Sequence, residues 1–150
     1  MLLDILRYSD NPTRTGQKVS MMIYYLSVTG NTRRFVEKLG TECKSQSIKD
    51  ENLMLEENSV FIFPTIGFGQ PPAAAVDFLE KNSRYISYLV GSGNRNWGTA
   101  FAAGADKLSK QFNIPVLMKF ELQGTDETVA LFKEKWDAIS RAKQPGSCKS

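Results

Sequence analysis

Residues 21–32, Met-Met-Ile-Tyr-Tyr-Leu-Ser-Val-Thr-Gly-Asn-Thr, are the stretch of sequence that decides the fold. The first half, residues 21–26, is a short and continuously apolar run, which is typical of a strand buried on both faces of a parallel sheet. The second half is a turn that contains Gly30, and residues 32–39 then place their apolar side chains at helical spacing. A buried strand that passes through a glycine turn into a helix is the beginning of a β-α-β unit.

The same alternation continues along the rest of the chain. Short apolar runs predict further strands at 59–63, 86–90 and 116–122, and the alternation leaves place for another at 43–48, which has no apolar run. Amphipathic segments predict helices at 32–39, 73–79, 99–112 and 125–139. Strands that alternate with helices imply right-handed crossovers and helices on both faces of one sheet. We therefore predict an α/β fold with a doubly wound, five-stranded parallel sheet in the order 2-1-3-4-5, arranged as a three-layer α/β/α sandwich.

The composition limits the chemistry. The 150 residues carry a net charge of +3, two widely spaced cysteines and no histidine. Without histidine there is no Ser-His-Asp or Cys-His centre and no histidine-ligated metal site. We therefore expect no metal, and we expect a cofactor to carry any redox reaction.

The two ends of the chain differ from the central part. We expect one domain at 21–140, a peripheral or disordered extension at 1–20 and a polar tail at 141–150. There is no apolar run long enough to span a bilayer and no secretory signal, which predicts a cytoplasmic protein.

Three unusual loops follow predicted strands 1, 3 and 4. They are residues 27–32 (Ser-Val-Thr-Gly-Asn-Thr), residues 64–72 (Pro-Thr-Ile-Gly-Phe-Gly-Gln-Pro-Pro) and residues 92–98 (Ser-Gly-Asn-Arg-Asn-Trp-Gly). In a doubly wound sheet of this order, these loops emerge together where the strands end, which is where such sheets bind ligands. The sequence therefore predicts one ligand site formed by all three.

The first loop has the groups that bind a phosphate. The hydroxyls of Ser27, Thr29 and Thr32 can add to the backbone N–H groups of a helix N-terminus, and Gly30 allows the backbone to approach closely. The sequence has neither the P-loop lysine motif nor Gly-x-Gly-x-x-Gly. The alternative is an ordinary strand-to-helix turn with an Asn or Thr cap.

The other two loops have groups suited to a flat heterocycle. Gly67 and Gly69 flank Phe68, so the backbone can pass close to a planar ligand. Trp97 can flank a ring system, and the side-chain amides of Asn94 and Asn96 can bind its polar edge. The alternatives are a flexible connection for the second loop and, for the third, a tryptophan that closes a helix against the sheet.

Taken together, these residues resemble the NrdI family, the flavodoxin-like FMN proteins that activate the manganese-dependent class Ib ribonucleotide reductase. The resemblance runs from about Met22 to Ile139. Its most specific stretches are residues 27–32 with the Arg34-Phe35 pair that follows, residues 67–69, residues 92–98, and residues 119–125 (Lys-Phe-Glu-Leu-Gln-Gly-Thr).

The resemblance implies a role for each loop. The residues that would bind the FMN phosphate are Ser27, Thr29, Gly30, Asn31 and Thr32. Those that would line one side of the isoalloxazine are Thr65, Ile66, Gly67, Phe68 and Gly69, with Gly67 facing N5. Those that would line the other side are Ser92, Gly93, Asn94, Asn96, Trp97 and Gly98. No side chain would act as a catalytic acid, base or nucleophile, and we interpret Arg33 and Arg34 as a solvated or partner-facing surface.

The resemblance also implies a function in deoxyribonucleotide synthesis. The reduced flavin would react with O₂, and the superoxide formed would allow the small subunit of the reductase to assemble its dimanganese-tyrosyl radical cofactor. The protein would be a redox accessory protein rather than a stand-alone enzyme, reduced by an upstream flavin-reducing protein. It would act without nucleic acid or a membrane.

Three other functions fit parts of the sequence. The first is an ordinary flavodoxin that carries electrons between a reductase and an acceptor protein. The second is a flavin-free receiver-like or interaction domain, and the third is a basic nucleic-acid binder. The charge pattern distinguishes this chain from an ordinary flavodoxin. Residues 64–72 carry no charge, and residues 92–104 carry only Arg95. Because acidic groups around a flavin disfavour its anionic reduced form, we expect the two reduction steps to lie closer together here than in an ordinary flavodoxin.

Overall fold

The structure is a computed structural model that describes residues 22–40, 43–66, 69–93 and 103–143. Its strands are β1 (Ile23–Tyr25), β2 (Ser45–Ser47), β3 (Ser59–Pro64), β4 (Ile86–Gly93) and β5 (Val116–Glu121). Its helices are α1 (Asn31–Leu39), α2 (Ala73–Asn82), α3 (Ala103–Phe112) and α4 (Asp126–Lys143), with a 3₁₀ turn at Ser83–Tyr85. The sheet and its helices up to Phe132 form one compact unit. The predicted extension at 1–20 lies outside the described residues.

The five strands form one all-parallel sheet in the order β2-β1-β3-β4-β5. Strand β1 lies between β2 and β3, with Tyr24 opposite Gln46 on one side and Phe61 on the other. The predicted fold class and strand order are therefore confirmed.

One boundary matters for the site. The sequence predicts that the fourth strand ends at Val90, but β4 continues through Gly91 and Ser92 to Gly93. Ser92 pairs with Pro64 of β3 and with Phe120 of β5. The two glycines carry no apolar side chain to signal a strand, and hydrogen bonds to both neighbouring strands hold them in the sheet.

Each face of the sheet has its own apolar layer. On one face, Phe35 of α1 stacks on Phe120 of β5 with ring centroids 4.1 Å apart, and meets Phe132 of α4 edge-on at 5.8 Å. On the other face, Phe61 of β3 packs 4.8 Å from Phe78 of α2, in a cluster that also includes residues of α3. Helices therefore cover both faces, as predicted for a doubly wound sheet.

A polar network fixes the start of the central strands. The hydroxyl of the fully buried Tyr24 donates to the Met54 carbonyl and accepts the Glu56 N–H at 2.7 Å. Burial raises the pKa of Tyr24, and the hydrogen bond from Glu56 opposes this shift. The Ser59 hydroxyl donates to the Glu56 carbonyl at 2.6 Å and accepts the Met22 N–H at 3.2 Å. This network lies where β1 and β3 begin, at the opposite end of these strands from the three predicted ligand loops.

Two glycines with the same φ provide a test of the packing around Phe35. Gly40 and Gly124 both have φ of +77°, but only at Gly124 would an added Cβ meet Phe35, 2.9 Å from its Cδ1. We expect Gly40→Ala to cost about 1–3 kcal/mol of unfolding free energy, because its φ of +77° with ψ of −169° is a conformation that essentially only glycine adopts. Gly124→Ala should cost about 1–3 kcal/mol more, because the phenyl ring has to move. Urea denaturation of the two variants measures the difference, and equal losses would contradict this account of the Phe35 packing.

Candidate functional site

The described parts of the three predicted ligand loops, residues 27–32, 64–66 with 69–72, and 92–93, lie at the edge of the sheet where the strands end, here called the carboxyl edge. Hydrogen bonds join neighbouring strands there: Leu26 N–H donates to the Ile62 carbonyl at 2.9 Å, and Thr65 N–H donates to the Ser92 carbonyl at 2.8 Å. Ten predicted site residues lie in the described part of the chain: Ser27, Thr29, Gly30, Asn31, Thr32, Thr65, Ile66, Gly69, Ser92 and Gly93. Six lie outside it: Gly67, Phe68, Asn94, Asn96, Trp97 and Gly98.

The first loop wraps over the N-terminus of helix α1. Gly30 precedes the helix in a left-handed conformation, with φ 97° and ψ −12°. The Ser27 hydroxyl accepts the Gly30 N–H at 3.1 Å and the Arg33 N–H at 3.2 Å. The backbone N–H groups of Asn31 and Thr32 have no acceptor among the described residues. The end of α1 therefore presents unpaired donors at the carboxyl edge.

The side chain of Thr32 is the strongest sign of a ligand here. Thr32 is 1% exposed, and its Oγ1 is the one buried side-chain oxygen or nitrogen in the described residues that has no hydrogen-bond partner. Leaving such a group unpaired costs about 1–3 kcal/mol. Helix α1 also has no acidic residue in its first turn to balance the positive end of its dipole. A bound anion would satisfy both the hydroxyl and the helix terminus, so these residues fit a phosphate group.

The second loop is closed by a short backbone bridge. Ile66 N–H donates to the Gln70 carbonyl at 2.7 Å, and Gln70 N–H donates back to the Ile66 carbonyl at 2.9 Å. Gly69 is buried, and its φ of 91° permits the tight return. The bridge holds the two ends of the loop together across residues 67 and 68, and it leaves the Ile66 side chain 37% exposed.

Thr65 anchors this second loop to helix α3. Its side chain is buried, and its Oγ1 accepts the Gly104 N–H at 3.3 Å. A Cβ at Gly104 would lie 3.1 Å from the same oxygen, so the start of α3 packs directly on the loop. The Thr65 hydroxyl is thus already engaged within the protein. The predicted contact of Thr65 with a flavin ring stays a prediction.

The last residues of β4 form part of the base of the carboxyl edge. Ser92 is 2% exposed, and Gly93 is also buried. The Gly93 carbonyl accepts the Leu122 N–H at 2.9 Å, which ties the end of β4 to the turn after β5. These two residues therefore position the carboxyl edge through their backbone. Their predicted contacts with a ring are untested.

The described site residues carry no Asp, Glu, His or Cys. Within the described ranges there is also no group of three or more such residues that could hold a metal ion. Among the residues that the structure describes, there is also no helix long and apolar enough to cross a membrane. The side chains that the structure places at the carboxyl edge can therefore bind and orient a ligand, but those of the described site residues offer no carboxylate, imidazole or thiol for proton transfer or nucleophilic attack.

Arg34 lies closer to the first loop than its interpretation as a solvated or partner-facing residue implies. Its guanidinium lies over Gly30, with both Nη atoms 3.4 Å from the place where a Gly30 Cβ would be, and Nη1 donates to Asn31 Oδ1 at 3.2 Å. The signal was present in the sequence, because Arg34 follows Gly30 by one helical turn.

Residues 119–125 are part of the family resemblance, but no binding role is predicted for them from the sequence. They line a cavity of about 770 Å³, together with the starts of α1 and α4. Leu122 and Leu131, both 44% exposed, form part of its apolar lining. This cavity opens beside the first loop, and Arg34 lies on its wall.

Comparison with known proteins agrees with this geometry. Among solved structures, the chain is similar to a short-chain flavodoxin associated with a PDU bacterial microcompartment, with 16% identity and a TM-score of 0.65 over 83% of this chain and 99% of that one. At that identity the likeness shows the fold alone. A family model described as NrdI flavodoxin-like matches residues 23–134, which is well over half of the chain. The chain therefore belongs to the NrdI flavodoxin-like family.

Proposed function

We propose that this protein binds FMN at the carboxyl edge and, when reduced, reacts with O₂ to supply superoxide to class Ib ribonucleotide reductase. The superoxide would serve assembly of the dimanganese-tyrosyl radical cofactor in the reductase small subunit. The protein would be a cytoplasmic redox accessory protein, reduced by a separate flavin-reducing protein. The observation that carries FMN binding is the buried, unpartnered Thr32 hydroxyl at the unsatisfied N-terminus of α1. Family membership supports the finer assignment.

The protein's own residues would bind and orient the cofactor. Bound FMN supplies the electron transfer and the reaction with O₂. Thr32 Oγ1 and the N–H groups of Asn31 and Thr32 would bind its phosphate, with the hydroxyls of Ser27 and Thr29 as further donors. The loop held by the Ile66–Gln70 bridge would support one side of the ring.

Exposed apolar side chains at the carboxyl edge favour the proposal that a partner protein binds there. Three large apolar side chains there are exposed, namely Val28 at 53%, Ile66 at 37% and Leu122 at 44%. They come from the loops after β1, β3 and β5, so all three lie at the carboxyl edge, where the proposed flavin site is. Exposed apolar groups in one region are typical of interaction surfaces.

Replacement of the unpartnered hydroxyl gives a test with two opposite effects. Thr32→Val keeps the shape of the side chain and removes a buried oxygen that has no partner. We expect the flavin-free variant to unfold with unchanged free energy or one about 1 kcal/mol higher. Its FMN affinity should fall about tenfold, because it loses one hydrogen bond to a charged phosphate. Thermal unfolding and flavin fluorescence quenching measure the two effects.

Ser59→Ala is the matched control. Ser59 is fully buried, but both of its hydrogen bonds are made, and it lies at the opposite end of the sheet. This variant should lose about 1–3 kcal/mol of unfolding free energy and keep its FMN affinity. If Thr32→Val destabilised the flavin-free protein as Ser59→Ala does, or bound FMN normally, Thr32 would not be a phosphate ligand.

The uncharged loop at residues 64–72 predicts that the two reduction steps of the bound flavin have similar potentials. Residues 64–72 carry no charge, so little should oppose formation of an anionic reduced flavin. Adding one charge tests this: Gln70→Glu changes an exposed side chain and leaves the backbone bridge in place. A carboxylate there should lower the potential of the second reduction step by about 20–50 mV. Gln111→Glu, at the far end of α3, should leave it unchanged. Widely separated steps in the wild type, or equal shifts in both variants, would contradict the prediction.

Radical assembly tests the proposed function directly. The reduced protein is mixed with O₂ and with the manganese-loaded small subunit of a class Ib reductase, and the tyrosyl radical is measured by electron paramagnetic resonance. We expect a radical signal that disappears when superoxide dismutase is added. A reduced ordinary flavodoxin is the control. If this chain gave no more radical than the control, the electron-shuttle alternative would replace the proposal.

A further inference from the structure

We infer that Arg34 determines the phosphate specificity of this site, so that the protein selects a flavin with a dianionic phosphate over the same flavin without one. This inference rests on the proposed FMN binding and goes beyond it. The loop at residues 27–32 supplies only uncharged donors, namely hydroxyls, an amide and backbone N–H groups. Such donors and the positive end of the helix dipole bind a phosphate, but a full positive charge, which favours a dianion over a neutral ligand most strongly, is not among them.

Arg34 contacts the loop through its backbone and through one side-chain hydrogen bond. Its backbone N–H donates to the Gly30 carbonyl at 3.0 Å, and Nη1 donates to Asn31 Oδ1 at 3.2 Å. The guanidinium carbon lies 3.5 Å from the position of a Cβ on Gly30. A positive charge therefore lies beside the loop that carries the unpaired N–H groups of Asn31 and Thr32.

The neighbouring Arg33 differs from Arg34 in its partner. Arg33 Nε lies 3.9 Å from Glu37 Oε2, one turn along the helix, and both side chains are well exposed. Arg34 has no carboxylate partner among the described residues. Of two adjacent arginines on the same turn of α1, one has a carboxylate within 4 Å and the other has none among the described residues. Arg33 is thus a natural control for Arg34.

The position of Arg34 is electrostatically unfavourable without an anion. A cation near a helix N-terminus is repelled by the positive end of the helix dipole. Helix α1 has no acidic residue in its first turn to offset this repulsion. The unpaired N–H groups and the Thr32 hydroxyl add donors at the same place. A phosphomonoester dianion satisfies the donors and the cation together, and a guanidinium is well suited to phosphate oxygens.

The experiment compares FMN with riboflavin, which lacks the phosphate, on flavin-free protein at low salt and pH 7.5. Arg34→Gln should weaken FMN binding about tenfold, which corresponds to about 1.4 kcal/mol, and leave riboflavin binding within about twofold. Arg33→Gln should leave both affinities within about twofold. Arg34→Lys should fall between the wild type and Arg34→Gln, because lysine keeps the charge but loses the planar fork. Circular dichroism confirms that the variants are folded.

Salt and pH give readouts that a structural role of Arg34 would not produce. The difference between wild type and Arg34→Gln should shrink as salt is raised, because this exposed charge is screened. It should also shrink as the pH falls below about 6, where a phosphomonoester gains a proton and loses half of its charge. Riboflavin binding should show neither trend.

Five outcomes would overturn the inference. Equal weakening of FMN and riboflavin by Arg34→Gln would mean that Arg34 supports the site without reading the phosphate. Equal effects of the Arg33 and Arg34 variants would indicate general surface charge. Unchanged FMN affinity in Arg34→Gln, with weaker binding of the reductase small subunit, would assign Arg34 to partner recognition at the cavity that it lines. If the wild type binds neither flavin, the proposed FMN binding fails as well. If the wild type binds FMN tightly and only the effects of the Arg34 variants are missing, this inference alone fails.

Discussion

Phe35 lies flat on Phe120 with ring centroids 4.1 Å apart, and the first turn of helix α1 depends on that contact. Phe35, Val36 and Leu39 form the buried face of the helix, and Thr32, three residues before Phe35, is on the same face. Burial of the phenyl ring therefore buries Thr32 at the top of an apolar stripe, where its hydroxyl has no partner. The same packing turns Arg33 and Arg34 outward. A core contact thus sets both the donor and the cation of the proposed phosphate site.

The sequence predicted the fold well because the alternation of buried strands and amphipathic helices is a strong signal. The predicted strand order was the doubly wound order that five alternating strands fit, and the right-handed crossovers agree with it without depending on side-chain detail. The end of β4 was missed, since Gly91, Ser92 and Gly93 have no apolar pattern and are kept in the sheet only by their neighbours. Such pairing is a tertiary effect that a single segment does not reveal.

The site was predicted in part, and the reasons differ between loops. The phosphate loop was identified because its chemistry is local: hydroxyls, a glycine and a helix start lie within six residues. Arg34 was interpreted as surface because adjacent arginines on a helix are usually solvated, and only the three-dimensional position of the guanidinium over Gly30 separates it from Arg33. The predicted roles of Gly67, Phe68, Asn94, Asn96, Trp97 and Gly98 remain predictions.

The electrostatics of the carboxyl edge link the two proposals. A bound phosphate dianion would itself oppose the negative charge of a reduced flavin, because both would lie in the same site. Arg34 would neutralise part of the negative charge of the phosphate. The uncharged residues 64–72 would add no negative charge near the ring. A cation at the phosphate and a neutral rim therefore act in the same direction, by removing negative potential from the flavin. Both features would bring the two reduction steps closer together, which suits a flavin that gives up its electrons to O₂ better than one that holds a single electron for an acceptor protein.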